Sequence, residues 1–429
     1  MERDHRKTLI RTFEPFLADT WWFGMTARCS DDDFLRLVKK RKEQGFTAAQ
    51  IVVGIPPEVG IYNENALSAV GGAFTLEGKI NREYLKLARE RIKIMNEHGL
   101  TAIIYGGWGH QIEWMSQKFM KNWWKSVVET FDDLDAIYCL TGESDIGCTP
   151  FMAKALLPDK TSSQVYFQKN RYRIGLQIQG KVSRLLLRCG VNVNLEQKIK
   201  SYMRKKRRKK WSRILAYLYK ITKKPILIHT TPEIEGFEAV ENHEYLAANT
   251  FQTGHGIESL EEIWRLPQKS KERYPDAPTI NLEPFYEGIH NQFFLEEQLR
   301  AFWLSVTAGN HSICYGAHGI WNIGDGKFLS HWGSQSFDEA MKRVTPSILG
   351  KNFRIIREEK VFDWKSSRIN AQNQQLVSIT RVSETGQRMT YIPDLSRMKT
   401  SIPEGRYVDV YKGEFVDAYK ESGQLVVFH

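Results

Sequence analysis

Residues 278–288 read Pro-Thr-Ile-Asn-Leu-Glu-Pro-Phe-Tyr-Glu-Gly. The β-favouring start, Thr279, Ile280 and Leu282, runs straight into Glu283, and Pro284 cannot donate a ladder hydrogen bond. A buried strand therefore ends at Glu283 with a carboxylate at its tip, where a parallel barrel keeps its chemistry. Residues 134–145, Leu-Asp-Ala-Ile-Tyr-Cys-Leu-Thr-Gly-Glu-Ser-Asp, follow the same plan. Their apolar run stops at Thr141 and Gly142 and releases Glu143 and Asp145. Two strand-end carboxylates are the groups that acid/base work on a glycosidic bond requires.

Six more segments have strand character: 15–25, 46–54, 101–107, 225–231, 247–254 and 312–316. Helical patterns lie between them at 31–44 (opened by a Ser30/Asp31 cap), 84–98, 116–131, 257–264 and 291–307. Strands alternating with helices indicate parallel βαβ units, and eight of them predict an α/β (β/α)8 TIM barrel over residues 1–360. Glu143 then follows strand four and Glu283 strand seven. Past residue 361 the texture changes to short alternating runs, 375–382, 388–392, 406–411 and 424–428, broken by Gly386, Pro393, Gly405, Gly413 and Gly423. They predict a small antiparallel, β-sandwich-like domain over 361–429, packed on the barrel or binding carbohydrate.

A chain of 429 residues suits one barrel of about 250 residues with insertions and an appendage. Twelve Trp and seventeen Tyr are enough to fill a core and still offer flat faces to sugar rings. The five cysteines show no paired or metal-ligand spacing, which predicts reduced thiols and a cytoplasmic setting. The start, Met-Glu-Arg-Asp-His-Arg-Lys, lacks the apolar core of a secretory signal, and no run approaches the roughly 18 apolar residues that span a bilayer. No cluster has zinc-ligand spacing and no Gly-rich loop matches a phosphate cradle, so the reading is a hydrolase without metal or cofactor.

Several ordered motifs resemble the apiosidase-like glycoside hydrolases. They are 13–22 (Phe-Glu-Pro-Phe-Leu-Ala-Asp-Thr-Trp-Trp), 45–50 (Gly-Phe-Thr-Ala-Ala-Gln), Gly106-Gly107-Trp108, 141–145 (Thr-Gly-Glu-Ser-Asp), 283–287 (Glu-Pro-Phe-Tyr-Glu) and 315–321 (Tyr-Gly-Ala-His-Gly-Ile-Trp). The resemblance covers most of 13–150 and 225–365. It implies a (β/α)8 barrel followed by a small collagen-binding-type β domain, and a retaining mechanism with Glu143 as acid/base and Glu283 as nucleophile. Most relatives in the broader clan carry Asn before the acid/base, where Gly142 stands here, which leaves Asp145 as an alternative acid. Members of the family are usually exported.

Retention needs the two carboxyl groups about 5–5.5 Å apart, and the acid must be buried or beside a like charge to keep its proton. Asp145 near Glu143, and Glu287 near Glu283, are such neighbours; Glu287 equally suits a cap or a substrate hydroxyl. Trp21, Trp22, Trp108 and Trp321 fall at predicted strand ends as sugar platforms. Asp19, His110, His229, His255, Tyr286 and His318 are expected to bind hydroxyls or orient the carboxylates, although a lone histidine is more often a satisfied core group.

The formal net charge of +11 is concentrated. Residues 171–224 hold 18 Lys or Arg against the single acid Glu196, a local +17, so the rest of the chain sums to −6. This insertion between strands four and five, residues 150–224, runs about 80 residues where a few would do. It contains the apolar run 182–189 and then Arg204, Lys205, Lys206, Arg207, Arg208, Lys209 and Lys210, leading into Trp211, Ile214, Leu215, Leu218 and Ile221 at helical spacing. The pattern predicts an amphipathic helix on an anionic membrane surface, and hence a peripheral enzyme on its inner face acting in exopolysaccharide synthesis or processing. A helix packed on the barrel or on a partner, or nucleic-acid binding, are the alternatives. For the whole chain the rival is a non-catalytic carbohydrate-binding or polysaccharide-assembly scaffold. Sugar identity and oligomeric state leave no signal in the sequence.

Overall fold

The computed structural model describes residues 12–148, 193–364, 366–372, 375–399 and 401–429. The predicted run 182–189, and the insertion before residue 193, lie outside them. Eight strands form one sheet: β1 (Leu17–Trp21), β2 (Ala48–Val52), β3 (Thr101–Tyr105), β4 (Ala136–Cys139), β5 (Ile226–Leu227), β6 (Asn249–Gln252), β7 (Thr279–Glu283) and β8 (Ser312–Cys314). Their order is β5-β4-β3-β2-β1-β8-β7-β6, and every ladder is parallel. At the seam the Ala247 N–H donates to the Ile226 carbonyl at 2.8 Å, so the barrel is nearly closed. All eight strands fall inside the segments expected. Their residues are buried almost throughout, as strands covered on both faces must be.

Helices α1 (Asp31–Glu43), α2 (Arg82–Glu97), α3 (Gln111–Trp114), α4 (Gln117–Phe131) and α5 (Val193–Ile221) precede β5. They are followed by α6 (Ser259–Arg273), α7 (Leu295–Thr307), α8 (Phe337–Met341) and α9 (Thr345–Glu358). Side chains of Ser30, Asn81 and Ser116 accept backbone N–H groups at the starts of α1, α2 and α4, satisfying donors that the helices cannot. Helix α6 runs on past the predicted end at 264, through a buried Pro267.

Beyond the barrel, β9 (Ser366–Gln372), β10 (Gln375–Val382), β11 (Arg388–Ile392), β12 (Arg406–Asp409), β13 (Glu414–Val416) and β14 (Leu425–Phe428) hydrogen-bond as one antiparallel sheet in the order β13-β12-β14-β11-β10-β9. A single sheet thus stands where a sandwich-like domain was expected. It needs no second sheet because the barrel covers it: Ile379, Met389, Tyr391, Val408 and Val426 belong to the same hydrophobic core as the barrel strands. Arg381 is buried at the join, donating to the carbonyls of Trp364 (2.8 Å), Val306 (2.7 Å) and Phe362 (3.2 Å). Trp303 of α7 stacks on Tyr391.

Candidate active site

The ends of β4 and β7 meet at one imidazole. The Glu143 backbone N–H donates to His229 Nδ1 at 3.0 Å. That nitrogen is therefore unprotonated and the ring carries its proton on Nε2. His229 Nε2 faces Glu283 Oε2 across 3.2 Å. The approach is off the line of a well-aligned hydrogen bond, so Oε2 keeps lone-pair density free. The other oxygen, Glu283 Oε1, pairs with His255 Nε2 at 3.1 Å. His229 is itself pinned by its backbone, which donates to Thr141 O at 3.0 Å and accepts from Ser144 N–H at 2.8 Å.

The two carboxyl groups differ in proton affinity for stated reasons. Burial, and then the charge of Glu283, push Glu143 up to about 8, against the pull of the Trp108 indole. Burial also pushes Glu283 upward, but the two imidazoles outweigh it and hold this carboxyl below the ordinary glutamate range. One group keeps its proton at neutrality beside another that has lost it.

Glycine lets the Glu143 loop form. Trp108 Nε1 donates to Glu143 Oε2 at 2.7 Å, and its ring lies against Gly142, where an added Cβ would stand 2.4 Å from the indole. A Cβ on Gly109 would stand 2.0 Å from the Glu143 carbonyl. A side chain larger than glycine at 142 thus has no room here; the indole occupies that space. Glu143 itself adopts φ +36°, a left-handed conformation that a non-glycine residue holds only when its surroundings impose it. Around the pair stand Trp22, which donates to Tyr286 Oη at 3.1 Å, and Trp108, edge-on to Trp22 with ring centres 5.4 Å apart. Tyr286 lies 4.7 Å from the His255 ring and 6.2 Å from Trp321. The Trp321 indole N–H and His318 Nδ1 are buried without a hydrogen-bond partner, 5.8 Å apart by ring centres. Burial holds His318 down at about 4, hence neutral.

Five expected members are held by other partners or by burial. Asp19 is buried in an ion pair with Arg41 (2.6 Å) and also accepts from Trp21 Nε1 (2.7 Å), so neither Asp19 nor Trp21 faces a ligand. Trp21 packs edge-on against Phe34 of α1. Asp145, the alternative acid, accepts from Thr231 N–H (2.9 Å), Thr231 Oγ1 (2.8 Å) and Arg204 (2.9 Å). Glu287 is held by Arg343 (3.0 Å), Thr345 Oγ1 (2.8 Å) and the Tyr315 hydroxyl, so both of its oxygens are engaged in fixing the segment after β7. His110 is buried near Arg207, and burial followed by that cation keeps it neutral, at about 3.

Two features escaped the sequence reading. Glu58, at φ +66° after β2, lies 3.9 Å from His331 and within electrostatic range of Glu283. Applying the strand-end rule to the Ile-Pro-Pro-Glu stretch of 55–58 finds it. Trp332 sits among His255, His290 and His331, with ring centres 5.1–5.9 Å away; no local pattern announces it. Among the described residues, no group of three or more His, Cys, Asp or Glu side chains is placed to hold a metal ion.

The basic helix α5 requires a correction. Trp211, Ile214, Leu215 and Leu218 are fully buried, so the apolar stripe assigned to a bilayer is covered by the barrel. Several cations of the basic run are bound by the protein as well. Arg204 binds Asp145 and Glu233, Arg207 and Lys210 bind Glu113, and Arg208 Nε donates to Val240 O at 2.9 Å. Lys205, Lys206, Arg208 and Lys209 remain exposed. Among the described residues no helix is long and apolar enough to cross a membrane.

Comparison with known proteins agrees with this architecture. A glycoside hydrolase family 5 structure from Bacteroides vulgatus is similar at a TM-score of 0.67 and 16% identity, over 97% of this chain and 88% of that one. A second structure, described as a glycoside hydrolase, has a TM-score of 0.68 at 14% identity, over 97% and 92%. At such identities the likeness is one of fold. No curated protein matches. The family model described as "Apiosidase-like, catalytic domain" matches residues 6–362, the full span of the barrel, and the chain belongs to the apiosidase-like family.

Proposed function

We propose that the protein is a retaining glycoside hydrolase acting by double displacement on a poly- or oligosaccharide, with Glu283 as nucleophile and Glu143 as acid/base. The observation that carries this reading is the pair of strand-end carboxyls with opposed proton affinities about His229. In the first step Glu283 Oε2 attacks the anomeric carbon as Glu143 gives its proton to the departing oxygen, leaving a glycosyl ester on Glu283. Esterification removes the Glu283 charge, and with it one cause of the raised affinity of Glu143. The Glu143 carboxylate then takes a proton from water, whose oxygen attacks the same carbon and expels Glu283. Trp22, Trp108 and Trp321 supply apolar walls for the sugar ring.

Membrane attachment through apolar insertion of α5 is not part of the proposal. On α5 a bilayer would meet chiefly exposed cations, among them Lys205, Lys206, Arg208 and Lys209, each contributing on the order of 1 kcal/mol.

The test is turnover of aryl glycosides of varied sugars. Glu283→Gln is expected to abolish hydrolysis of every substrate that wild type cleaves. Glu143→Gln should lower kcat by about 10²–10⁴-fold on phenyl glycosides but far less on 2,4-dinitrophenyl glycosides, whose leaving group needs no proton. Sugar binding without turnover by wild type would favour the scaffold reading instead.

A further inference from the structure

We propose that Arg207, in the basic run of α5, is a positioning residue for Glu143, tying together the two loops that carry the acid/base carboxyl and its Trp108 partner. The proposal rests on the hydrolytic reading above. The Arg207 side chain is buried, and its Nη1 donates to the carbonyls of Gly109 (2.8 Å), Ser144 (3.2 Å) and Ile146 (3.1 Å), while Nε donates to Glu113 Oε1 (2.7 Å). Trp211 Nε1, one turn on, donates to the same Ser144 carbonyl at 3.1 Å. Gly109 belongs to the loop after β3 and Ser144 and Ile146 to the loop after β4, so a single guanidinium closes both. Trp108 and Glu143 each stand next to a clamped carbonyl. The loops also bond directly, Gly109 N–H to Gly142 O at 2.7 Å.

A buried guanidinium is costly to desolvate, and packing alone could be met by an apolar side chain. Here the donors reach carbonyls flanking a glutamate at φ +36°, a conformation that persists only where neighbours impose it. The groups facing the Glu143 carboxyl are Glu283 from β7, Trp108 after β3, Asp145 on its own loop and Glu58 after β2, while His229 after β5 holds its backbone N–H. Arg207 acts through backbone and makes no contact with the carboxyl itself. Loosening its clamp lets water reach Glu143 and relaxes the burial that keeps it protonated.

Arg207→Met keeps the stem and removes every donor; Arg207→Lys keeps a charge and fewer donors; Trp211→Phe removes one donor. For Arg207→Met, kcat/KM on phenyl glycosides is expected to fall at least about tenfold further than on 2,4-dinitrophenyl glycosides, because only the former need the acid. The basic limb of the pH profile should move to lower pH, and Arg207→Lys should recover part of both effects. Lys209→Ala, exposed on the same helix, serves as control and leaves both unchanged. Equal losses on the two substrates with an unmoved pH profile would overturn the proposal. Should Arg207→Met not fold, Arg207→Lys and Trp211→Phe decide: an unaltered substrate ratio in both sinks it. If wild type cleaves no glycoside, the hydrolase reading fails separately. The clamp is then read from the Glu143 carboxyl titration, followed by ¹³C NMR and assigned against Glu143→Gln. A lower midpoint in Arg207→Lys or Trp211→Phe supports it, and an unchanged midpoint in both refutes it.

Discussion

Glu143 carries two features that oppose folding: a left-handed backbone, costing about 1–3 kcal/mol, and a carboxyl buried beside another carboxylate. The second gives stability a pH dependence whose sign follows from proton counts. With its affinity raised from 4.5 to about 8, folded Glu143 holds a proton that the unfolded chain has released. Stability from this group is therefore full below about 4.5 and is lost as pH climbs through about 8. Glu143→Gln, which cannot ionise, is expected to raise Tm relative to wild type at pH 9 and to change it little at pH 4. Thermal melts at the two values check this; a Tm difference independent of pH contradicts it. Glu283, held low by its imidazoles, has the opposite dependence, its contribution fading as pH falls. Glu143 and Glu283 were legible as strand-end carboxylates because Gly142 and Pro284 punctuate the strands. Asp19, Asp145 and Glu287 read the same way in sequence, and what removes them from the site, Arg41, Arg204 and Arg343, is identified only once the chain has folded.

The β4 segment and its loop work as one element with the loop after β3, since Trp108 fills the space that Gly142 leaves and reaches Glu143 from there. Gly142→Ala places a Cβ 2.4 Å from the indole, so either the ring or the strand end must move. The expected cost is about 1–3 kcal/mol of stability. A larger loss should appear in kcat on phenyl glycosides than on dinitrophenyl glycosides, as Trp108 leaves the acid. Denaturant melts and the two substrates measure both, and wild-type kinetics in Gly142→Ala would refute the arrangement. Helix α5 shows where element-level reading stops. Its period and its cations are plain in the sequence, but an apolar stripe does not say what covers it. A bilayer and a barrel wall satisfy the same residues equally. Topology decides: the helix joining two adjacent parallel strands has to return along the barrel, and Trp211, Leu215 and Leu218 are buried there.

At the scale of the molecule, eight apolar runs separated by helical periods were enough to lay out the barrel, because closure demands little more than alternation and length. The C-terminal residues were harder. Strands β10 and β11 stand out by alternation, whereas β9 and β13 are short or polar and are drafted by the neighbours they pair with. That sheet shares the barrel's core, so its single layer is complete only against α7 and the buried Arg381. The barrel's consequence is that residues 140 positions apart in sequence, 143 and 283, meet the same imidazole, and the proposed mechanism has both act on one sugar carbon. The most direct measurement is to incubate the protein with a 2-deoxy-2-fluoro glycoside bearing an activated leaving group, matched to a sugar that it hydrolyses, and to map the labelled peptide by mass spectrometry. One deoxyfluoroglycosyl unit on Glu283 is the predicted result; a label on another carboxylate, or none while the product forms with inverted configuration, would contradict it.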